Sequence, residues 1–402
     1  MKQVTKIAGI VSLVICIISG CSNKGKDSVA VTPKMSFDDI SILEGTNGVT
    51  NVEVKLKLDR AASGQLSVTY STIEGTAKGG NDFTAVSNQS VSFQPNETEK
   101  TILISVVTDD IKEADETFQL RVENPVNVIL LKGTAAVTLR NDDTKIGYNN
   151  AGYVAPTSYP GFSLTWGEEF NGPSLDGAAW SNESGDGCPA LCSWGNNELQ
   201  YYTAPPNNLF FQDGKMIIEA RAETFGGKNY TSARIKTAGK KTFKYGRIDI
   251  RAILPKGKGI WPAFWLLPQN SVFGGWPRSG EIDLMELVGH EAGKTHGTIH
   301  YGPGPGSTQI SRNYTLPGTA TFNDEFHVFS FEWKQDQMKW LVDGNLYSTI
   351  NKTDLGAINY PFNEDFYFIV NLAVGGNWPG APDAATTFPQ WLIVDYIRVY
   401  QQ

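Results

Sequence analysis

The chain has 402 residues, 40% of them hydrophobic, which is more than one ordinary domain uses and enough for two buried cores. A formal net charge of −8 argues against a phosphate-binding surface, and so against nucleic acid as a partner, and suits a neutral or weakly charged ligand. Ten Trp, 15 Tyr and 41 Gly describe a turn-rich β protein with many aromatic side chains for a core or a binding face.

Residues 1–20 read as a targeting segment to be left out of the fold. Lys2 and Lys6 precede an apolar run at 7–18 that is too short to span a bilayer comfortably, and Ser19-Gly20-Cys21 follows. Small residues ahead of a Cys resemble a bacterial lipoprotein signal, whose cleavage leaves Cys21 as the lipid-bearing N-terminus; an ordinary secretory signal with an incidental Cys is the alternative. The resemblance implies a monomer held by lipid on a bacterial membrane, the outer membrane first, on its periplasmic or surface face. Residues 21–34 then serve as a tether.

Residues 35–143 carry short alternating strands at 52–58, 66–71, 100–107, 116–122 and 135–139, separated by Gly, Asn and Asp. That spacing predicts a β-sandwich. Leu43-Glu44-Gly45, Glu74-Gly75-Thr76-Ala77 with Asp82-Phe83, the run Asp-Asp-Ile-Lys-Glu-Ala-Asp-Glu-Thr-Phe at 109–118, and Asn141-Asp142-Asp143 resemble the Calx-β domain in order and along its length. The resemblance implies calcium binding at one end of the sandwich through Glu44, Asp82, Asp109, Asp110, Glu113, Glu116, Asp142 and Asp143, oxygen donors of the kind calcium takes. Thr108 and Asn141 stand where an acid is expected in each aspartate run, and solvated turns on a spacer domain are the alternative. Nothing in this third looks catalytic.

Residues 144–159 are rich in Asn, Gly and Pro without periodicity and read as the linker between domains. The β pattern resumes over 160–402, at 216–222 behind an Asp213-Gly214 turn, 245–254, 327–333, 338–347 around Asp343-Gly344, 366–372 and 392–400. A second all-β unit of this size predicts a jelly-roll sandwich whose concave face leaves a groove, a shape that fits a polymer better than a small molecule. Cys188 and Cys192 lack the further Cys or His of a zinc site; a short disulfide in an oxidising compartment is the favoured reading, two free thiols the other.

The stretch 280–286, Gly-Glu-Ile-Asp-Leu-Met-Glu, holds three carboxylates in an apolar run. Alternation puts Glu281 and Asp283 on one face of a strand and Ile282 and Leu284 on the other. Glu286 would then face the core, at a cost of several kcal/mol, unless an extra residue is absorbed as a β-bulge. Met285 is the expected bulge residue, and the bulge brings Glu281, Asp283 and Glu286 into one row. Trp261 and Trp265 share a face just upstream, Trp276 lies between, and Trp378 sits in a Gly-rich turn. Flat C–H faces of sugar rings pack on such side chains.

The motifs 194–203 (Trp-Gly-Asn-Asn-Glu-Leu-Gln-Tyr-Tyr-Thr), 230–235 (Tyr-Thr-Ser-Ala-Arg-Ile), 259–265 (Gly-Ile-Trp-Pro-Ala-Phe-Trp), 280–286 and 296–301 (His-Gly-Thr-Ile-His-Tyr) are similar, in this order, to glycoside hydrolase family 16. The likeness runs from 161 to 400 and is to the laminarinase branch, the endo-β-1,3-glucanases. It implies retaining hydrolysis of laminarin-like β-glucan, with mixed-linkage β-1,3-1,4-glucan as a further substrate and no catalytic cofactor. Glu281 matches the nucleophile, Asp283 the helper and Glu286 the acid/base. Asn196, Arg234, Trp261, Trp265, Trp276, His300 and Trp378 match substrate-binding positions. A structural calcium on the convex side would be held by Glu169, Gly214 and Asp395. Two other readings stay open: the same chemistry on agar, porphyran, carrageenan or xyloglucan, and a non-catalytic surface glucan-binding lipoprotein. The loops at 188–192 and 303–306 are candidates for closing the ends of the groove.

Overall fold

The computed structural model describes residues 31–304 and 308–402. The targeting segment with Cys21, most of the tether, and part of the 303–306 loop lie outside the described residues. Two compact units divide the chain. One takes in residues as far as Ser41 with Asn51–Val107 and Thr117–Thr138, and the other Ile42–Thr50, Thr108–Glu116 and Leu139–Gln402.

The N-terminal strands form two sheets. Five strands run in the order Ile40–Leu43, Thr134–Arg140, Glu116–Val126, Leu66–Glu74 and Gln89–Phe93, and four in the order Glu99–Val106, Thr50–Leu58, Lys34–Ser36 and Ile129–Leu130. Period-two patterning explains the layering: Val52, Val54, Leu56 and Leu58 are buried while Glu53, Lys55 and Lys57 between them are exposed. Several acids expected to bind calcium also hold turns. Asp82 accepts the Lys78 N–H at 2.6 Å, Asp109 the Ile111 N–H at 2.7 Å and Asp142 the Gly45 N–H at 2.9 Å.

The larger unit is built on two big antiparallel sheets. The groove sheet has seven strands in the order Ser181–Glu183, Arg234–Lys236, Phe366–Val374, Ile260–Pro268, Glu281–Glu286, Lys294–Tyr301 and Thr308–Thr315. The outer sheet runs Leu209–Gln212, Lys215–Ala220, Gln390–Gln401, Gly246–Ile253, His327–Lys334, Gln337–Val342 and Asn345–Asn351, with Ser163–Glu168 added against Gln390–Gln401. Between them lies one large core containing Phe264, Ile282, Leu284, Met285, Phe331, Trp333 and Trp340.

The strand Gly246–Ile253 is buried at every position, although Arg247, Asp249 and Arg251 alternate with Ile248, Ile250 and Ala252. What covers the polar face is the segment expected to be a linker. Tyr159 donates its hydroxyl to Asp249 at 2.6 Å and lies under the Arg247 guanidinium, 4.2 Å from its ring centre. Arg251 donates to the carbonyls of Tyr153 (2.8 Å), Ala151 (3.1 Å) and Asn150 (3.3 Å). Phe326 exchanges main-chain bonds with Ala151 and Tyr153 around Gly152, whose φ of 109° and whose missing side chain permit the approach; a Cβ there would fall 2.0 Å from the Phe326 carbonyl oxygen. Ile146 packs with Ile217, Ile253, Phe326 and Ile393. Residues 146–159 are therefore a strap docked on the outer sheet. Many of its contacts run through main-chain groups, which leave no period in the side chains.

Candidate active site

Strand register lays out the groove floor. Arg234 pairs with Asn371, Asn371 with Ala263, Ala263 with Glu286, Glu286 with His296 and His296 with Asn313, so one row crosses six strands. The adjacent rows place Trp265 beside Asp283 beside Thr298, and Glu281 beside His300. The expected bulge is present. Phe264 and Trp265 are neighbours, yet they pair with Met285 and Asp283, and on the other side Glu286 and Asp283 pair with His296 and Thr298. The residue without a partner on Ile260–Pro268 is Leu284, not Met285. Leu284 and Met285 both enter the core, two consecutive side chains on one side, and this returns Glu286 to the groove face. Parity requires one extra residue but does not choose between two apolar neighbours.

The three carboxylates have different surroundings. Glu281 accepts the Trp276 indole N–H at 3.0 Å and has His300 Nε2 at 3.7 Å. Glu286 accepts the Trp261 indole N–H at 3.1 Å. Asp283 Oδ2 lies 3.3 Å from His300 Nε2, is buried, and takes no hydrogen bond from any described residue. Burial pushes all three carboxyls up. For Glu286 burial and then the Asp283 charge bring the value to about 8, against smaller lowering by His300 and Trp261. For Glu281 burial and Asp283 raise it while His300 and the Trp276 N–H pull it back, and Asp283 is raised by burial. Three such acids do not all ionise at neutral pH. Each glutamate accepts one indole N–H, and His300 lies near Glu281 and nearer still to Asp283, so the protons are shared among three coupled acids.

Aromatic side chains line both sides of these acids. Trp378 meets Trp261 edge-on at 5.6 Å and His296 at 5.0 Å, and the Trp276 ring lies 6.1 Å from His300. Trp276 and Trp378 are 56% and 42% exposed, so their faces are open to a ligand. Arg234 is stacked between Trp194 and Trp265, 4.4 and 4.9 Å from their ring centres, and donates to Glu183 at 2.6 Å. Trp265 donates to Asn371 at 2.7 Å. Asn196 accepts the Asn377 N–H through its carbonyl at 2.8 Å, which ties the turn bearing Trp378 to the 194–203 motif. Cys188 and Cys192, just ahead of that motif, are joined as a disulfide.

A model of the family described as glycosyl hydrolases family 16 matches residues 193–393, half of the chain, and a model of the Calx-beta domain matches 28–143. The "Beta-glucanase" of Rhodothermus marinus is 40% identical over 272 residues, covering 64% of this chain and 91% of that protein. The chain belongs to glycosyl hydrolases family 16. The "Glucan endo-1,3-beta-glucosidase A1" of Niallia circulans is 38% identical over 321 residues, 71% of this chain and 46% of that protein, so this chain spans less than half of that relative's length. The laminarinase catalytic domain from Thermotoga maritima MSB8 superposes with a TM-score of 0.56 at 45% identity, covering 60% of this chain and 98% of that one.

In this family-16 unit the residues expected to bind sugar are brought together, and the expected calcium ligands are not free to act. Glu169 is held by Nε and Nη2 of Arg398 at 2.7 and 2.8 Å. Asp395 is paired with Arg251 at 2.6 Å and Lys215 at 3.1 Å. Three cations already neutralise the two carboxylates, so the donor set does not fit a divalent ion. Motif reading supplied Glu169, Gly214 and Asp395 without the basic residues that face them.

Trp194, Glu183 and Asn371 were not singled out by the sequence. Trp194 opens a quoted motif, and Ser193 and Trp194 both adopt left-handed backbone, φ 50° and 52°, a strained state for a bulky residue that often marks a ligand site. Its indole N–H is buried without a partner among the described residues. Glu198 proves to be a buried acceptor for Gln200 at 2.6 Å, Tyr202 at 3.3 Å and Asn196 at 3.4 Å, supporting the motif from beneath.

Proposed function

We propose that the protein is a retaining endo-β-1,3-glucanase that cuts laminarin-like glucans internally, with mixed-linkage β-1,3-1,4-glucan as a further substrate. The observation that carries the reading is the row Glu281, Asp283 and Glu286 on the groove face, in which each glutamate accepts one indole N–H and burial raises all three carboxyls. A retaining glycosidase needs one carboxylate to attack the anomeric carbon and one carboxylic acid to protonate the leaving oxygen, about 5–5.5 Å apart. Glu281 attacks, and the Trp276 N–H and His300 hold its charge until the glycosyl bond forms. Glu286 gives its proton to the departing sugar. Once that sugar has left, Glu286 is the base that activates water, and attack on the glycosyl-enzyme restores both groups. Asp283 keeps the proton on Glu286 by repulsion between like charges.

Trp276 and Trp378 stand on either side of the acids as platforms for sugar rings, and Arg234 and Asn196 supply polar contacts for hydroxyls. The family relationship and the likeness to a laminarinase domain support a β-1,3-glucan over other polymers. Cys21 is read as a lipidated N-terminus that holds the enzyme on a membrane.

Reducing-sugar release by the purified mature protein from laminarin, lichenan, agarose and carrageenan tests the proposal. Release of a ladder of oligosaccharides from laminarin, and none from Glu281→Ser although that variant still binds the glucan, is the expected result. Release from agarose or carrageenan alone would move the assignment to another polymer, and binding without release from any polymer would leave a glucan-binding protein.

A further inference from the structure

The bulge that sets Glu286 in the row also disturbs the main-chain ladder around it, and side chains secure both of its ends. Trp340 donates its indole N–H to the Asp283 carbonyl at 2.9 Å, and Thr295 donates its hydroxyl to the Glu286 carbonyl at 3.1 Å. Trp340 belongs to Gln337–Val342 of the outer sheet and is completely buried, so its bond crosses the core from one sheet to the other. In such surroundings a carbonyl without a donor is disfavoured and a fixed donor is directional.

A second observation shows that space has been made for this contact. Gly297 lies between His296 and Thr298, the ladder partners of Glu286 and Asp283, directly across from the bulge. A Cβ on Gly297 would fall 2.4 Å from Trp340 Cδ1, 2.7 Å from its Nε1 and 2.6 Å from the Tyr347 hydroxyl. The φ of Gly297 is not left-handed, so the missing side chain answers to the indole and not to the backbone. Phe331 backs the indole at 5.0 Å.

We infer that Trp340 is a positioning residue for catalysis: its N–H pins the Asp283 carbonyl at the bulge and so fixes how Glu286 stands relative to Asp283 and Glu281. Trp340 does not touch the substrate, and its effect passes through the main chain of the catalytic strand. The inference rests on the reading of the three carboxylates as catalytic.

Replacing Trp340 in the full chain by 3-benzothienylalanine keeps the bicyclic ring and deletes only the N–H; Trp340→Phe is the genetic counterpart. On laminarin, kcat should fall about tenfold with KM within about twofold, the response expected when a reacting group is misplaced by less than 1 Å. The basic limb of the pH profile should move to lower pH as Glu286 turns away from Asp283. The charged and titratable groups facing Glu286, namely Asp283, Glu281 and His300, with His296 across the ladder, are the same in both proteins. An unchanged kcat and an unchanged basic limb in the benzothienyl protein would overturn the inference. If the wild type cuts no β-glucan, the catalytic reading falls and this inference with it; if the wild type is active and the variant equally so, only the role of Trp340 falls.

Discussion

Trp261 donates its indole N–H to Glu286 Oε1 at 3.1 Å, so a residue on the floor of the groove also holds the carboxyl proposed as the acid. The first step needs Glu286 protonated, and activity is therefore lost as pH rises through its value of about 8. The Trp261 bond lowers that value, so Trp261→Phe should move the basic limb of kcat/KM to higher pH and should raise KM through the altered sugar platform. A pH-rate profile on a soluble β-1,3-glucan checks both.

The two glutamates can be told apart by the stereochemistry of chemical rescue. With Glu286→Ala and an activated β-glucoside, azide should restore turnover and give a β-glucosyl azide, because the anion needs no base and itself attacks the glycosyl-enzyme in place of water, displacing the Glu281 carboxylate. With Glu281→Ala, azide enters the vacated face and should give the α-azide. Each substitution alone should cost about 10³-fold or more in kcat, as expected for members of one catalytic unit. Proton NMR of the products reads the configuration, and α-azide from the Glu286 variant would reverse the assignment.

Arg234 joins the sugar-binding side of the groove to the stability of the sheet. Burial alone would raise the Glu183 carboxyl, but Arg234 and Lys236 outweigh it and hold the group below its usual range. A depressed carboxylate contributes stability that is fully present above its unfolded value, about 4.3, and is lost as pH falls through the folded one. Arg234→Met should cost about 1–3 kcal/mol at pH 7, because Lys236 still pairs with Glu183 and one charged hydrogen bond is lost. The gap from the wild type should narrow on acidification, and KM should rise. Denaturant titrations at pH 7 and pH 4 measure the difference.

Because Glu169 and Asp395 are already paired with Arg398, Arg251 and Lys215, chelation should leave the melting temperature of the family-16 unit unchanged to within about 1 °C, no linked ligand being lost. A drop of several degrees with EDTA that calcium restores would show that an ion displaces these pairs.

The same Arg251 carries the strap, so the loss should appear there instead. Arg251→Met leaves Asp395 with Lys215 alone and three strap carbonyls without their donor, and should cost about 3–5 kcal/mol while kcat on laminarin stays at the wild-type value. Urea unfolding followed by tryptophan fluorescence is a direct measurement.

The parts of this site that could be read from the chain are those whose side chains carry a pattern. Glu281, Asp283 and Glu286 break an apolar alternation, and Trp261 and Trp265 repeat on one strand face, so period and parity were enough to place them. The identity of the bulge residue was not accessible, because Leu284 and Met285 are both apolar and both enter the core. The segment 144–159 was read as a linker because many of the contacts that dock its residues 146–159 run through main-chain groups. Trp340 was invisible for a different reason: its partner is 57 residues away on the other sheet, and one buried Trp looks like any other in sequence. The expected calcium donors Glu169, Gly214 and Asp395 were matched by position, while Arg398, Arg251 and Lys215, which pair with the two carboxylates, were left out of account.

The row from Arg234 through Asn371, Ala263 and Glu286 to His296 has a consequence for how the enzyme comes into being. The strand Phe366–Val374 inserts between Arg234–Lys236 and Ile260–Pro268, and the bond from Trp265 to Asn371 spans 106 residues. Such pairing is slow to form because the intervening loop must close before the contact repays it. A chain still emerging from the ribosome can hold all three acids of 280–286 and yet lack the middle of the sheet that supports them. The support beneath the three acids is therefore complete only once residue 374 has joined the sheet.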